Sequence, residues 1–575
     1  MRAALFRARD IGKVRPVPRG GRGGSEVSEW ESRWEPECGA ILSEEPGSPE
    51  ELEAWVLRWD LLQRRALEEA NRRWVAMMRD VHDERAAASY REFADDVWAR
   101  MLAVRRAVAR KLLQNPHAGA LPPVYGRFLK IAADIYTTSP DGIEDLFRSI
   151  DAPVQEYGRE VGRARVRFGG GEYSVQEAHR FLESPDREVR KAAYEAIGST
   201  ALDLADRLDG LFSRLMELRA RLAEAAGFER FTDYVFTEMH RDYDPEWCAR
   251  MHGAVLSEVA PALSAVLEER RRRLGVDVLR PWDLRVPVHE WSWPRDGDLL
   301  GSAEAVLEKV GPPFDSTVPE LVARGGIDVE ARPGKANIRG YFLPFDLSGE
   351  AFVLVHPWGT RDDLRVLLHE LGHATHYRLC RRQPLVEYRT SPPYEVLELF
   401  STLTEWLGVW GLGPGYLEYV TERSLTLIAE SVAGDMFQMG VYASPGMDAE
   451  DRRRLWLSVL RRALPGVEFD GVEEAASAMW VLKGHFFETP LYYVEYAIAT
   501  LGAMEVYVEC AMIPEGMLRR IAAAMELGLS APAPAVYGVA GATWGIWESD
   551  SGRLRRVLGQ ILDDARAGGE RTRHA

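Results

Sequence analysis

Two histidines four residues apart, with a glutamate beside the first, are the residues whose types and spacing point most directly to chemistry: His369-Glu370-Leu371-Gly372-His373. On a helix, at about 100° per residue, the two imidazoles lie roughly 40° apart and aim at one point. Two neutral imidazoles and one carboxylate suit zinc and leave a position open for reaction. His369 and His373 are therefore candidate ligands, and zinc, one ion per chain, is the expected cofactor. Glu370 lies beside them, where a carboxylate can take a proton from an attacking water.

That chemistry requires a helix, and the flanks supply its signals. Thr360 reads as the N-cap, Asp362 and Asp363 as the first turn, Arg381 and Arg382 as the end, with Pro384 beyond. Leu364, Leu367, Leu368 and Leu371 form an apolar stripe roughly opposite the histidines. The third ligand must come from another element. A second helix is predicted over 393–410, with Val396, Leu399, Phe400, Leu403 and Leu407 on its apolar side and Glu395, Glu398, Thr402 and Glu405 on another. Glu398, 25 residues beyond His373, is the first candidate, with Glu395 and Glu405 next. A third histidine ligand on the first helix would require glycine at position 376 and histidine at 379. The chain has His376 and Leu379, so that arrangement is excluded.

With these segments in place, the chain resembles the thimet oligopeptidase and oligoendopeptidase F family of zinc peptidases, the M3-type metallopeptidases. The resemblance rests on the histidine motif, on Leu397-Glu398-Leu399-Phe400-Ser401-Thr402, and on HFFETPLYYVEYAIATLGA from His485. Weaker likenesses lie at FLESPDREVRKAAYEAI from Phe181, AGFERFTDYVF from Ala226 and LRPWD from Leu279. It implies Glu398 as the third ligand. It implies Tyr496, Tyr493 and His485, the last in a loop, as catalytic groups that stabilise the oxyanion, with Tyr493 and His485 also binding substrate. From the residues alone, tyrosines at helical spacing would be assigned to a core. Gly340 and Tyr341 lie where the family contacts substrate. They belong to a hairpin predicted between Ala336 and Val355, whose edge can pair with an extended peptide. The implied fold is mainly α, a two-lobed helical oligopeptidase fold with a deep substrate channel and a small β-sheet beside the zinc helix. The expected activity is zinc-dependent endopeptidase cleavage of short unstructured peptides. The alternatives are a dipeptidyl carboxypeptidase or carboxypeptidase of the same fold, and a non-catalytic peptide-binding protein. Glu405 is a candidate to orient a ligand histidine, His376 a neighbouring or core residue, and His356 has no assigned role.

The rest of the chain sets limits. It has 575 residues and a net charge of -17, an acidic balance that argues against nucleic acid and anionic membrane as partners. No stretch approaches the roughly 18 apolar residues of a membrane span. Four scattered cysteines without metal spacing, Cys38, Cys248, Cys380 and Cys510, fit reduced thiols and a cytoplasmic setting. The expected organisation is a disordered tail over 1–25, an N-terminal helical region over 26–200 and a catalytic region over 201–575. Long amphipathic helices are expected over 49–81 and 174–222, the latter broken at Pro185-Asp186.

Overall fold

The computed structural model describes residues 29–574, apart from 141, 292–297, 391–392 and 549–551, so the expected tail over 1–25 lies outside the described residues. The described chain is mainly helical, with a three-stranded sheet and a two-stranded ribbon. None of its helices is long and apolar enough to cross a membrane. All four cysteines are buried and free.

Helix α1 (Pro49–Arg79) starts where the Ser48 side chain accepts the Glu51 N–H and Pro49 fills the first helical position. Its Trp55, Trp59 and Leu62 join the core of the N-terminal helices, whereas Trp74, Met77 and Met78 near its end pack with Leu343 and Phe345 of the sheet. A larger core takes in residues from Ile143 to Ala565. Helix α2 (Arg187–Ala225) is capped by Asp186, as the Pro185-Asp186 break predicts, but it runs on through residue 200. A division into 26–200 and 201–575 would therefore cut a continuous helix. The two main cores separate between Ala132 and Ile143 instead.

The ribbon pairs β1 (Val166–Phe168) with β2 (Gly171–Tyr173) across Gly169 and Gly170, both with positive φ, the backbone a two-residue hairpin turn requires. The larger sheet has the order β3-β5-β4, from β3 (Ile327–Asp328), β4 (Gly340–Phe345) and β5 (Glu350–Val355). The predicted hairpin is present: β4 and β5 are antiparallel, with Gly340 opposite Val355 and Phe345 opposite Glu350. The short parallel strand β3 takes the far side of β5, which leaves β4 at the edge of the sheet, a position that tolerates its Pro344. Alternation along β4 divides its side chains. Tyr341, Leu343 and Phe345 face the end of α1, and Gly340 and Phe342 face the histidine helix α3 (Asp362–Cys380). After α3 come α4 (Tyr394–Leu407), α5 (Pro414–Ala443) and α6 (Tyr493–Met512).

Candidate metal centre

Helix α3 forms where predicted but is capped differently. Arg361 is its N-cap and makes no side-chain cap bond. Asp363 turns back instead, and its carboxylate accepts the N–H groups of Trp358, Gly359 and Thr360 at 3.1, 2.8 and 2.9 Å. These amides belong to the turn before the helix; the carboxylate in the first turn suits the helix dipole, and the Thr360 hydroxyl donates to Asp363 rather than capping the helix. Leu364, Leu367, Leu368 and Leu371 are fully buried. On the other side the His369 and His373 rings stand 4.9 Å apart and keep 19% and 16% of their side-chain exposure.

Helix α4 packs antiparallel on α3, with Gly372 at the closest approach. A Cβ there would come within 2.6 Å of the Ser401 Cα and the Thr404 Oγ1. Only the bare glycine of the motif lets α4 come this near. The approach carries Glu398 to the histidines, with its Oε2 3.2 Å from His369 Nε2 and 3.8 Å from His373 Nε2. Of the groups in the described residues, His369, His373 and Glu398 are the ones whose donor atoms gather as a metal ion requires, all within 4.8 Å of one another. Two nitrogens and one carboxylate oxygen fit zinc.

The surrounding bonds fix these donors. His369 Nδ1 lies 2.7 Å from Glu405 Oε1, so its Nε2 is the nitrogen turned to the site. Glu405 in turn pairs with Arg365 at 2.9 Å. Burial lowers the affinity of His369 for a proton, but the bonds to Glu398 and Glu405 outweigh it and raise its pKa well above the usual value. Burial opposes ionisation of Glu398, yet His369 and Tyr492 bring it down to about 2. His373 is pushed down to about 4 by burial and stays neutral. Glu370 is buried beside β4, and burial with the nearby Glu398 and Glu405 carboxylates raises it to about 7 against the pull of His369. Gly340 makes room for it: a Cβ there would lie 2.6 Å from Glu370 Oε1.

The other expected residues fall into place unevenly. His485, Tyr493 and Tyr496 do converge, with ring centroids 5.3 Å apart for His485–Tyr493 and 6.1 Å for His485–Tyr496. All three are half-buried rather than core residues. His485 sits in a short helix, Gly484–Glu488, not in a loop. Tyr341 is not brought to the histidines as a side chain. Its ring packs 4.8 Å from Trp74, because it alternates with Gly340 to the opposite face of β4. His376 is a core residue packed 4.6 Å from Phe400, and burial pushes it down to about 3. His356 lies beside Lys335, and burial lowers its pKa. Glu395 is fully buried and, among the described residues, its carboxylate has no hydrogen-bond partner and is not one of the groups that gather with the histidines.

Sequence reasoning missed three contributors. Tyr492 donates a hydrogen bond to Glu398 Oε1 at 2.9 Å and stands 5.2 Å from the Tyr496 ring, linking the tyrosines to the candidate metal ligand. Phe342 stacks 6.0 Å from His373. The third is the turn before α6, where Leu491 has φ +62, a left-handed conformation rare for a branched side chain. Gln438 accepts its N–H at 2.9 Å and Arg241 donates to its carbonyl at 2.6 Å. Arg241 also binds Glu495 at 2.7 Å, fully buried on both sides. Alternation in the strand could have found Phe342; no local pattern marks the other two.

The comparisons with known proteins agree with this picture. The model of peptidase family M3 matches residues 180–292. An oligoendopeptidase F homologue of Lactococcus lactis is 25% identical over 281 residues, 48% of this chain and 44% of the relative. The group B oligopeptidase PepB of Streptococcus agalactiae is 26% identical over 208 residues, 36% and 34% of the two chains. The matched stretches thus span less than half the length of these relatives. In fold, the chain is similar over 93% of its length to 96% of PZ peptidase A, with a TM-score of 0.84 at 22% identity. It is similar over 94% to 97% of an oligoendopeptidase F from Enterococcus faecium, with a TM-score of 0.63 at 14% identity. These likenesses support the family implied by the three sequence blocks: the chain resembles peptidase family M3 over part of its sequence and nearly all of its fold.

Proposed function

We propose that this protein is a zinc-dependent endopeptidase acting on internal bonds of short, unstructured peptides. The observation that carries the reading is the gathering of His369, His373 and Glu398 at one point, with Glu370 beside them and the open edge of β4 alongside. Bound there, zinc would supply positive charge that polarises a peptide carbonyl and acidifies water. The chain's own residues do the rest. The edge of β4 pairs with an extended peptide backbone and so selects chain that is not folded. Glu370, whose buried carboxyl sits near neutrality, takes the proton of the attacking water and passes it to the leaving nitrogen as the C–N bond breaks. Glu405 and Tyr492 hold His369 and Glu398 in line. Tyr496, with Tyr493 and His485, supplies the donor side for the developing oxyanion, and Tyr493 and His485 also hold substrate. The four free, buried cysteines fit work in the cytoplasm. The test is digestion of a peptide library blocked at both ends, read by mass spectrometry. Internal cuts that stop with chelator and return with zinc are expected; cleavage indifferent to chelator, or none, would overturn the reading.

A further inference from the structure

Helix α5 crosses the interior. Between Tyr419 and Asp435 its side chains are all buried except Tyr419, Arg423, Thr426, Leu427 and Glu430. At about 100° per residue these fall on one face, so a buried helix presents a single wet stripe. Both ends of the stripe are fixed. Tyr419 donates to Asp362 Oδ1 at 2.6 Å, at the start of α3. Gly434, one turn beyond Glu430, lies against Tyr493, where a Cβ would come within 2.8 Å of the ring. The stripe therefore lines the recess from the start of the metal helix to the tyrosines.

Arg285 enters the same recess from the loop after Asp283. Arg270 holds the carbonyls of Asp283 and Val286 at 3.0 and 2.7 Å, and it binds Glu422, the neighbour of Arg423. Arg285 is exposed to solvent, yet it faces Arg423, Glu430, Asp362 and Glu183 from the surrounding elements. Of these acids Glu430, on the same stripe, acts on Arg285 most strongly, yet among the described residues it forms no ion pair with either arginine. Asp362 is bound by Arg365, Arg339 and Tyr419, and burial pushes Glu183 up to about 7. Among the described residues neither Arg285 nor Arg423 makes a hydrogen bond or ion pair. Two neighbouring guanidiniums without a hydrogen-bonded partner repel each other, and their planar donors match a carboxylate.

The direction of a bound peptide gives this pair a place. Strand β4 runs alongside α3 in the same sense, with Gly340 beside Val366 and Glu370, and Phe342 beside His373 and Tyr377. A peptide pairing antiparallel with this edge runs with its C-terminal end toward the start of α3. Asp362 precedes His369 by about 10 Å of helix, or roughly three extended residues. We propose that Arg285 and Arg423 form a carboxylate-binding subsite on the C-terminal side of the scissile bond. It takes either the terminal carboxylate of a peptide cut two or three residues from its end or an Asp or Glu side chain at that distance in a longer one. The proposal rests on the peptidase reading above.

The test uses three quenched fluorescent peptides of one sequence: a free C-terminal acid ending about three residues past the cut, its amide, and a longer amide with Glu at that position. The zinc-loaded wild type should cleave the acid and the Glu peptide at least about tenfold faster in kcat/KM than the plain amide, mainly through KM. Arg285→Gln with Arg423→Gln should cleave all three at similar rates and melt no lower than wild type. Preference for the acid alone assigns the terminal carboxylate, and for both assigns either source. Equal rates in the wild type would overturn the subsite while leaving the peptidase reading intact. If no peptide is cut, calorimetry decides: a tripeptide acid that binds no better than its amide also overturns it.

Discussion

The two sides of the site are built in different ways. On one side, α3 and α4 carry all three candidate metal donors, brought together by Gly372 and locked through Glu405 and Arg365. On the other, the tyrosines hang from a turn whose left-handed Leu491 is held by Arg241 and Gln438, residues far away in the chain. The first side stores its geometry in helical spacing. The second stores it in a few buried polar contacts that hold a costly backbone conformation. The donors and the groups that hold them should therefore respond to substitution in metal affinity, and the tyrosine side, with Glu370, in turnover.

The sharpest separation comes from Glu370→Gln. It keeps all three donors and the packing against Gly340, so zinc content should stay at wild-type level while kcat falls by about 10²–10⁴ or more. Near-normal turnover in metal-loaded protein would remove Glu370 from the chemistry. Next, Tyr496→Phe should lower kcat by about 10²–10³ with little change in KM, zinc content or melting temperature. An unchanged kcat with a lower melting point would return this residue to the core. Glu405→Gln should act on the other side. It weakens the bond to His369 Nδ1, and zinc affinity, read by competition with a chelator, should fall about 10–100-fold. The smallest effect belongs to Gln438→Leu, which leaves the Leu491 N–H unsatisfied at a cost of about 1–3 kcal/mol in denaturant titration. It should lower kcat with zinc affinity held. Lost zinc with kcat preserved would show that the turn serves the metal side instead.

This contrast also decides what was legible in the sequence. The metal helix could be read because leucines and histidines repeat at helical spacing, and Glu398 followed from the same periodicity on the next helix. The hairpin was legible from two apolar runs around a turn. That β4 is the edge was not, because β3 is only two residues long and carries no period. The Thr360 cap failed because the cap position falls on Arg361 and the Thr360 hydroxyl is taken up by Asp363. The expected boundary at residue 200 falls inside α2, where nothing in the helix changes. Tyr492 escaped notice because its role depends on φ at Leu491, and the contacts that hold that angle come from Arg241 and Gln438, which local pattern does not connect.

One feature of the connection between the metal helices reaches beyond the site. Part of the segment between α3 and α4, from Leu385 to Tyr388, is seated in the N-terminal core. Leu385 and Tyr388 belong to that core, the Val386 N–H binds Asp60 at 2.6 Å, and the Tyr388 hydroxyl binds the Val124 carbonyl at 2.6 Å. His373 and Glu398 are thus joined by a strap threaded through the N-terminal layer. Whatever binds only when both are in register is thermodynamically linked to the docking of that layer. A metal ion at the centre would tie α3 to α4 within the larger core and so hold the segment between them in the shape that docks on the N-terminal helices, and proteolytic nicking of α1 would be felt as a loss of metal.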